Sequence, residues 1–217
     1  KMIEKAEKQG KLKPGGTIIE ASSGNQGAAL AVIGSAKGYK VIITASEKIS
    51  EEKMKTLKAY GAEVKIYKPT DKLEDPESYY MQAKRLSEEI PGAYWPNQYH
   101  NPDNPEVHYN WTAPEIWEQT NGKITHFFAA AGSTGTVMGV GKFLKEKNKD
   151  IKIIAIDAQD SFFSSDNPKQ YKAEGLGIDY TPDFLDESLV DEFLTANDDE
   201  SFSNSRKLSK EKGILAG

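Results

Sequence analysis

The chain has 217 residues, 37% hydrophobic and 10% aromatic, enough for a buried core in one large domain or two small ones at about 100–200 residues each. A formal charge of −5, with 28% charged residues and no long Lys/Arg cluster, argues against extensive disorder and against nucleic acid as a partner. The absence of cysteine removes disulfide frameworks, thiolate metal sites and cysteine nucleophiles, and suits a cytoplasmic setting.

The opening segment KMIEKAEKQGKLKPGG reads as a charged helix closed by a Pro-Gly-Gly turn, not as a signal peptide. It has no initiating Met and begins mid-helix by its pattern, so the sequence is expected to be an internal portion of a longer one. A strand is predicted over 17–20, then a Gly-rich turn and an Ala-rich helix over 27–36 that Gly38 closes. The run YKVIITA over 39–45 is a continuous apolar strand, as in a parallel sheet buried on both faces. Ser50 caps the next helix, which carries Met54, Leu57, Lys58 and Tyr60 and stops at Gly61 before a strand over 62–67. A helix over 76–90 with Pro in its first turn follows, then a short run over 93–96, an Asn/Pro-rich loop through Pro105 and a helix over 106–120. Strands over 126–131 and 152–157 flank a helix over 137–147.

This β-α repetition with short connectors predicts an α/β doubly wound, mostly parallel sheet, without an internal repeat. From 159 to 199 the chain reads as acidic and loop-rich, and a last helix over 201–212 is capped by Asn197-Asp198-Asp199-Glu200. The expected division is a smaller α/β domain over 15–100 and part of a larger one over 101–217, with 1–14 leading in. The longest apolar runs, such as 27–36, fall short of the roughly 20 residues that cross a bilayer, so no membrane partner is expected.

Two turns concentrate small and hydroxyl residues between a strand and a helix. They are Ala21-Ser22-Ser23-Gly24-Asn25-Gln26-Gly27 and Gly132-Ser133-Thr134-Gly135-Thr136. Free amides and the positive end of the helix dipole converge at such a turn, and ligands of open parallel sheets bind beyond the strands' carboxyl ends. One such turn is equally well read as a tight N-cap; two on one α/β chain favour a ligand with two anionic groups. Asp157 stands 22 residues after Gly135, about where a ribose-binding acid stands in dinucleotide sites. Thr134 and Val137, however, occupy the second and third glycine positions of that fingerprint, so Asp157 is expected to be an ordinary strand-end residue.

At these residues the sequence resembles a known family. ASSGNQG looks like the P-T-S-G-N-T-G turn, and AGSTGTVMG like the G-T-G-G-T turn, of pyridoxal-phosphate (PLP) enzymes of the cysteine synthase and cystathionine β-synthase type, fold type II. The likeness runs from Lys1 to Gly217 and includes GYKVIITASEKISEEKMKTLKAYGAEV, NQYHNPDNPEVHY and AEGLGIDYTP. It implies a two-domain fold like that of tryptophan synthase β. It also implies that Asn25 meets the cofactor's ring oxygen and that Gly132, Ser133, Thr134, Gly135 and Thr136 hold its phosphate. Ser22, Ser23, Gly24 and Gln26 would line the amino-acid carboxylate site, with Gln98 as a further donor. Gly175 and Gly177 would stand near the mouth of the site, while Glu174 and Tyr99 resemble the cystathionine β-synthase side.

The sequence departs from the pattern at Ser22 and Gln26, each in place of Thr, at Thr134 in place of Gly, and in a short stretch between Asp157 and Glu174. The family's Schiff-base lysine lies in an S-V-K-D-R-like segment expected upstream of Lys1, with Lys1 and Lys5 in the helix after it. Its serine at the pyridine nitrogen lies in a turn expected to begin at Gly217. The resemblance implies β-replacement on O-acetylserine or serine with sulfide or a thiol, giving cysteine or cystathionine, by a homodimer; the 217 residues alone are expected to be inactive. A serine or threonine dehydratase is the alternative within the fold, and a non-catalytic α/β anion-binding module the alternative outside it. His100, His108 and His126 are too scattered for a metal site. His100, beside Tyr99, is either a site residue or a loop residue. Trp95, Trp111 and Trp117 are expected as core or interface anchors, and no G-x-S-x-G elbow supports a hydrolase.

Overall fold

Runs rich in β-branched residues over 17–21, 40–46 and 152–158, buried almost throughout, form the inner strands of two parallel sheets. The computed structural model describes residues 1–217 apart from Ser23, Lys48, Asp71, Glu174, Asp179 and Gly217. The expectations placed on Ser23, Glu174 and Gly217 therefore lie outside the described residues. The chain divides into two units, Lys1–Asn97 and Gln98–Gly217.

In the first unit the elements run α1 (Met2–Lys8), β1 (Thr17–Ala21), α2 (Asn25–Lys37), β2 (Lys40–Ser46), α3 (Glu51–Ala59), β3 (Glu63–Tyr67), α4 (Tyr79–Glu89) and β4 (Ala93–Tyr94). The sheet order is β3-β2-β1-β4, with parallel pairs such as Ile18↔Val41 and Ile43↔Val64. Parallel neighbours need a crossover, and α2 and α3 supply it. Ile18, Leu30, Val41, Ile43 and Leu57 share one buried cluster. Full burial of each such side chain contributes about 1.5–3 kcal/mol, more than an exposed ion pair such as Lys55–Glu51. A Cβ on Gly34 would stand 2.1 Å from Val41 Cγ2, so the missing side chain is what seats α2 on β2.

Caps set most helix ends where the sequence puts them. Gly38 ends α2 at φ 75°, and the Ser50 hydroxyl accepts from Lys53 N–H. The helix predicted from Pro76 instead begins at Tyr79. There the Ser78 hydroxyl accepts from Met81 N–H and donates to the Leu73 carbonyl. Asp75 takes the preceding amides, accepting from Glu77 N–H and Ser78 N–H at 2.8 Å each, so the chain turns before it coils.

The second unit runs α5 (Asp103–Val107), a π-helical turn (His108–Thr112), α6 (Ala113–Gln119), β5 (His126–Ala130), α7 (Gly135–Lys147), β6 (Lys152–Ala158), a 3₁₀ turn (Glu187–Leu189), β7 (Glu192–Ala196) and α8 (Asp198–Lys212). Its sheet order is β5-β6-β7, all parallel. Three sequence expectations change here. Helix begins at Asp103 rather than after Pro105, because the Asn101 side chain accepts from Asp103 N–H and Pro105 falls in the first turn, where a missing N–H is no loss. The single helix expected over 106–120 is interrupted by the π-helical turn. Pro114 offers no N–H to the Asn110 carbonyl, and a widened turn removes the clash that an α-helix would impose. A strand, β7, emerges within the stretch expected as loop, pairing Ile156 with Leu194 at the edge of the sheet.

Two carboxylates anchor this unit. Asp157 is fully buried and accepts from Ala158 and Ile178 N–H and from the Ser161 and Ser164 hydroxyls, which makes it a strand-end fastener. Asp191 accepts from Ile153 N–H and pairs with Lys145 and Lys152; those contacts hold its carboxyl far below the ordinary range. The expected cap at the last helix is present as a capping box between Asn197 and Glu200. Trp95 and Trp117 are half-buried, whereas Trp111 on the π-helical turn is 52% exposed and no core anchor. Among the described residues no helix is long and apolar enough to cross a membrane.

Candidate active site

In the second unit β5 ends at Ala130, and the Ala131 amide extends its pairing to the Ile156 carbonyl. The chain then turns through Gly132, Ser133 and Thr134 into α7. Thr134 takes the left-handed conformation at φ 58°, which costs a residue with a Cβ about 1–2 kcal/mol. It is 3% exposed, and its hydroxyl has no hydrogen-bond partner among the described residues. Met138 N–H makes the first intrahelical bond, to the Thr134 carbonyl, so the amides of Gly135, Thr136 and Val137 lie ahead of the helix's own ladder.

Neighbouring side chains fix the turn. Asn104 donates from Nδ2 to Ser133 Oγ at 3.1 Å and to the Gln98 carbonyl at 2.9 Å. A Cβ on Gly135 would meet Asn104 Oδ1 at 2.1 Å, so only glycine lets that amide lie against the turn. Thr136 Oγ1 is 3.2 Å from His108 Nε2, and His108 Nδ1 is 3.0 Å from Thr112 Oγ1. Burial holds His108 below its ordinary pKa of 6.5, which favours the neutral ring. In the sequence His108 is only a scattered histidine. The π-helical turn that brings it to Thr136 has no simple periodic signature.

Gly175 and Gly177 both have positive φ, and their carbonyls lie 4.0 and 3.9 Å from where a Gly132 Cβ would stand. The Gly177 amide donates to the Ala131 carbonyl. Thus Gly132–Thr136, Gly175 and Gly177 converge at one end of β5, with Gln98 joined through Asn104. Asp157 points into its own fastener and not toward this turn, in keeping with an ordinary strand-end role.

The first unit carries the other turn. Ser22 is buried, and its Oγ accepts from Gly24 N–H at 3.3 Å and Gly27 N–H at 3.1 Å, so its acceptor capacity is spent shaping the loop. A Cβ on Gly27 would stand 3.0 Å from the Ser22 carbonyl. Gly24 caps α2 without a side-chain bond, and Asn25 is exposed in the first helical position. Gln26 Nε2 is shielded from solvent with no partner among the described residues. Lys53 Nζ stands 4.0 Å from the position of a Gly24 Cβ and adds positive charge beside the helix N-terminus. Nothing in the sequence spacing marks Lys53 for this place.

Both turns thus offer unspent donors at the positive end of a 13-residue helix. A phosphate at α7 would supply the acceptor that the Thr134 hydroxyl lacks, so the residues present fit a phosphorylated cofactor. The model for pyridoxal-phosphate dependent enzymes matches residues 1–217. The chain belongs to this family of enzymes.

Relatives within the family include cystathionine β-synthase of Apis mellifera, 44% identical over all of this chain and 44% of that protein's length. Cysteine synthase of Staphylococcus aureus is also 44% identical, over all of this chain and 69% of its own. The chain therefore spans less than half of the first relative. Among solved structures, a hydrogen sulfide-producing enzyme from Fusobacterium nucleatum superposes with a TM-score of 0.91 at 35% identity, over all of this chain and 71% of that one. O-ureido-L-serine synthase superposes at 0.92 and 32% identity, with 68% of its chain covered. The parallel α/β fold expected from the sequence is the fold these PLP enzymes share.

Proposed function

We propose that the enzyme to which these residues belong carries out β-replacement on serine or an O-activated serine, with sulfide or a thiol as the incoming nucleophile, to give cysteine or cystathionine. The observation that carries this reading is the buried Thr134 hydroxyl, without a partner among the described residues, at the α7 N-terminus of a chain similar to cysteine synthase and cystathionine β-synthase. When bound, pyridoxal phosphate supplies an electron sink for the carbanion left after the amino acid's α-proton departs.

The chain's own residues bind and orient. The amides of Gly135 and Thr136 and the hydroxyls of Ser133, Thr134 and Thr136 hold the phosphate, and Gly132 leaves the approach open. His108 fixes the rotor of Thr136, so that hydroxyl is aimed before the anion arrives. At the α2 turn, Gly24 and Gln26 take the amino-acid carboxylate, with Ser22 holding the loop and Lys53 adding attraction. Ser23 belongs to the same proposal by its place in the sequence. Asn25, exposed at the helix start, offers its amide to the cofactor's ring oxygen. Gln98, Tyr99, Gly175 and Gly177 bound the amino-acid side and limit water access. A homodimer is part of the proposal, on the resemblance alone.

Product analysis on the full-length enzyme tests the reaction. O-acetylserine with sulfide, or serine with a thiol, should yield the corresponding thioether or cysteine and release acetate or water. Pyruvate with ammonia as the sole products from these substrates whatever nucleophile is present, or 2-oxobutyrate with ammonia when threonine is supplied instead, would contradict it.

A further inference from the structure

We propose that Asp183, His100 and Tyr180 form a hydrogen-bonded tie that positions Gln98 and Tyr99 toward the amino-acid substrate. The positioning role rests on the functional reading above. His100 Nδ1 lies 2.5 Å from Asp183 Oδ2, and the Tyr180 hydroxyl lies 3.0 Å from His100 Nε2. With the proton on Nδ1, the ring donates to the carboxylate and accepts from the phenol, so both ring nitrogens are committed at once. The rings of His100 and Tyr180 meet edge to face at 5.4 Å, and those of Tyr99 and Tyr180 at 5.6 Å. The Asp183 amide adds a main-chain bond to the Tyr99 carbonyl at 3.3 Å.

The contacts join two segments that are each already anchored at the end of β5. One segment starts at Gln98, whose carbonyl Asn104 fastens to Ser133 on the α7 turn. The other starts at Gly177 and Ile178, fastened to the Ala131 carbonyl and to Asp157. Both anchors lie at the inner ends, and the tie joins the outer parts, which carry Tyr99 and Tyr180. Asp183, His100 and Tyr180 meet through side chains that single substitutions remove, while the anchors and the main-chain bond from Asp183 N–H to the Tyr99 carbonyl stay. His100, Tyr180 and Asp183 therefore act through Gln98 and Tyr99, as positioning residues.

Steady-state kinetics and hydrogen exchange on the full-length, cofactor-loaded enzyme test the tie. Tyr180→Phe and Asp183→Ala should each raise KM for the amino acid about five- to tenfold, with kcat within about twofold and cofactor retention unchanged. The double variant should go no further than either single one, because both cut the same tie. His100→Gln, which keeps one donor and one acceptor, should stay closer to wild type than His100→Phe. Amides of 98–104 and 180–183 should exchange faster together in Tyr180→Phe, while those of α8 keep their protection. Additive effects on KM, a loss confined to kcat, or faster exchange in one segment alone would overturn the proposal. A wild-type enzyme with no spectral response to any amino acid would instead contradict the functional reading, and the exchange result would still decide whether the tie exists.

Discussion

Thr134 combines a costly backbone conformation with a buried hydroxyl that bonds to none of the described residues. Strain of this kind persists where the surroundings over-determine it, and a binding site is the usual reason. Replacing Thr134 with Gly should therefore have opposite effects with and without cofactor. The cofactor-free protein gains about 1 kcal/mol by relief of the left-handed strain, while affinity for pyridoxal phosphate falls about tenfold with the lost hydroxyl. Thermal melts at several cofactor concentrations read both numbers. His108 gives a pH signature. Burial lowers its pKa, so the unfolded chain takes up the proton first as the solution is acidified. The stability it contributes is fully present above about 6.5 and is lost as the pH falls through the lower folded value. A His108→Gln variant should lose that part of the acid-side decline, read as the difference between the two stability-versus-pH curves.

At the scale of elements, close backbone approach decides where the site sits. Gly139 of α7 faces the chain that passes from α5 into the π-helical turn. A Cβ there would be 2.2 Å from the Pro105 carbonyl and 2.6 Å from His108 Cβ. Gly139→Ala should cost about 3 kcal/mol, the upper end for overpacking, by denaturant titration, because the nearest obstacle is backbone and not a movable side-chain end. It should also weaken cofactor binding by shifting His108 from Thr136. The elements most legible in the sequence are those whose ends are local chemistry: Gly38, Ser50 and Asn197 each mark a boundary within a few residues of themselves. The π-helical turn is not legible, since it answers to Pro114 and to a glycine on a different helix. β7 escapes because an edge strand with only Phe193 and Ala196 half-buried leaves almost no apolar alternation to read.

At the scale of the molecule, the two units each carry one Gly- and hydroxyl-rich turn at a long helix's N-terminus, and the amino-acid sequence alone marks both turns as candidates for anion binding. It does not mark what surrounds them. Asn104, His108 and Lys53 come to the turns from other elements, and Ser22 braces its loop internally. Family resemblance supplies residue roles that spacing alone does not, while the Asp183–His100–Tyr180 tie comes from contacts between two loops whose sequences look ordinary apart. The central claim is that the α7 turn encloses a cofactor phosphate. The phosphorus NMR signal of pyridoxal phosphate bound to the full-length enzyme tests it most directly. Held among amides and the Thr134 and Thr136 hydroxyls, the phosphate should keep a constant shift across the range where a free phosphate monoester titrates, near its second pKa of about 6. A bound cofactor whose phosphate titrates as it does in water would contradict the assignment of this turn.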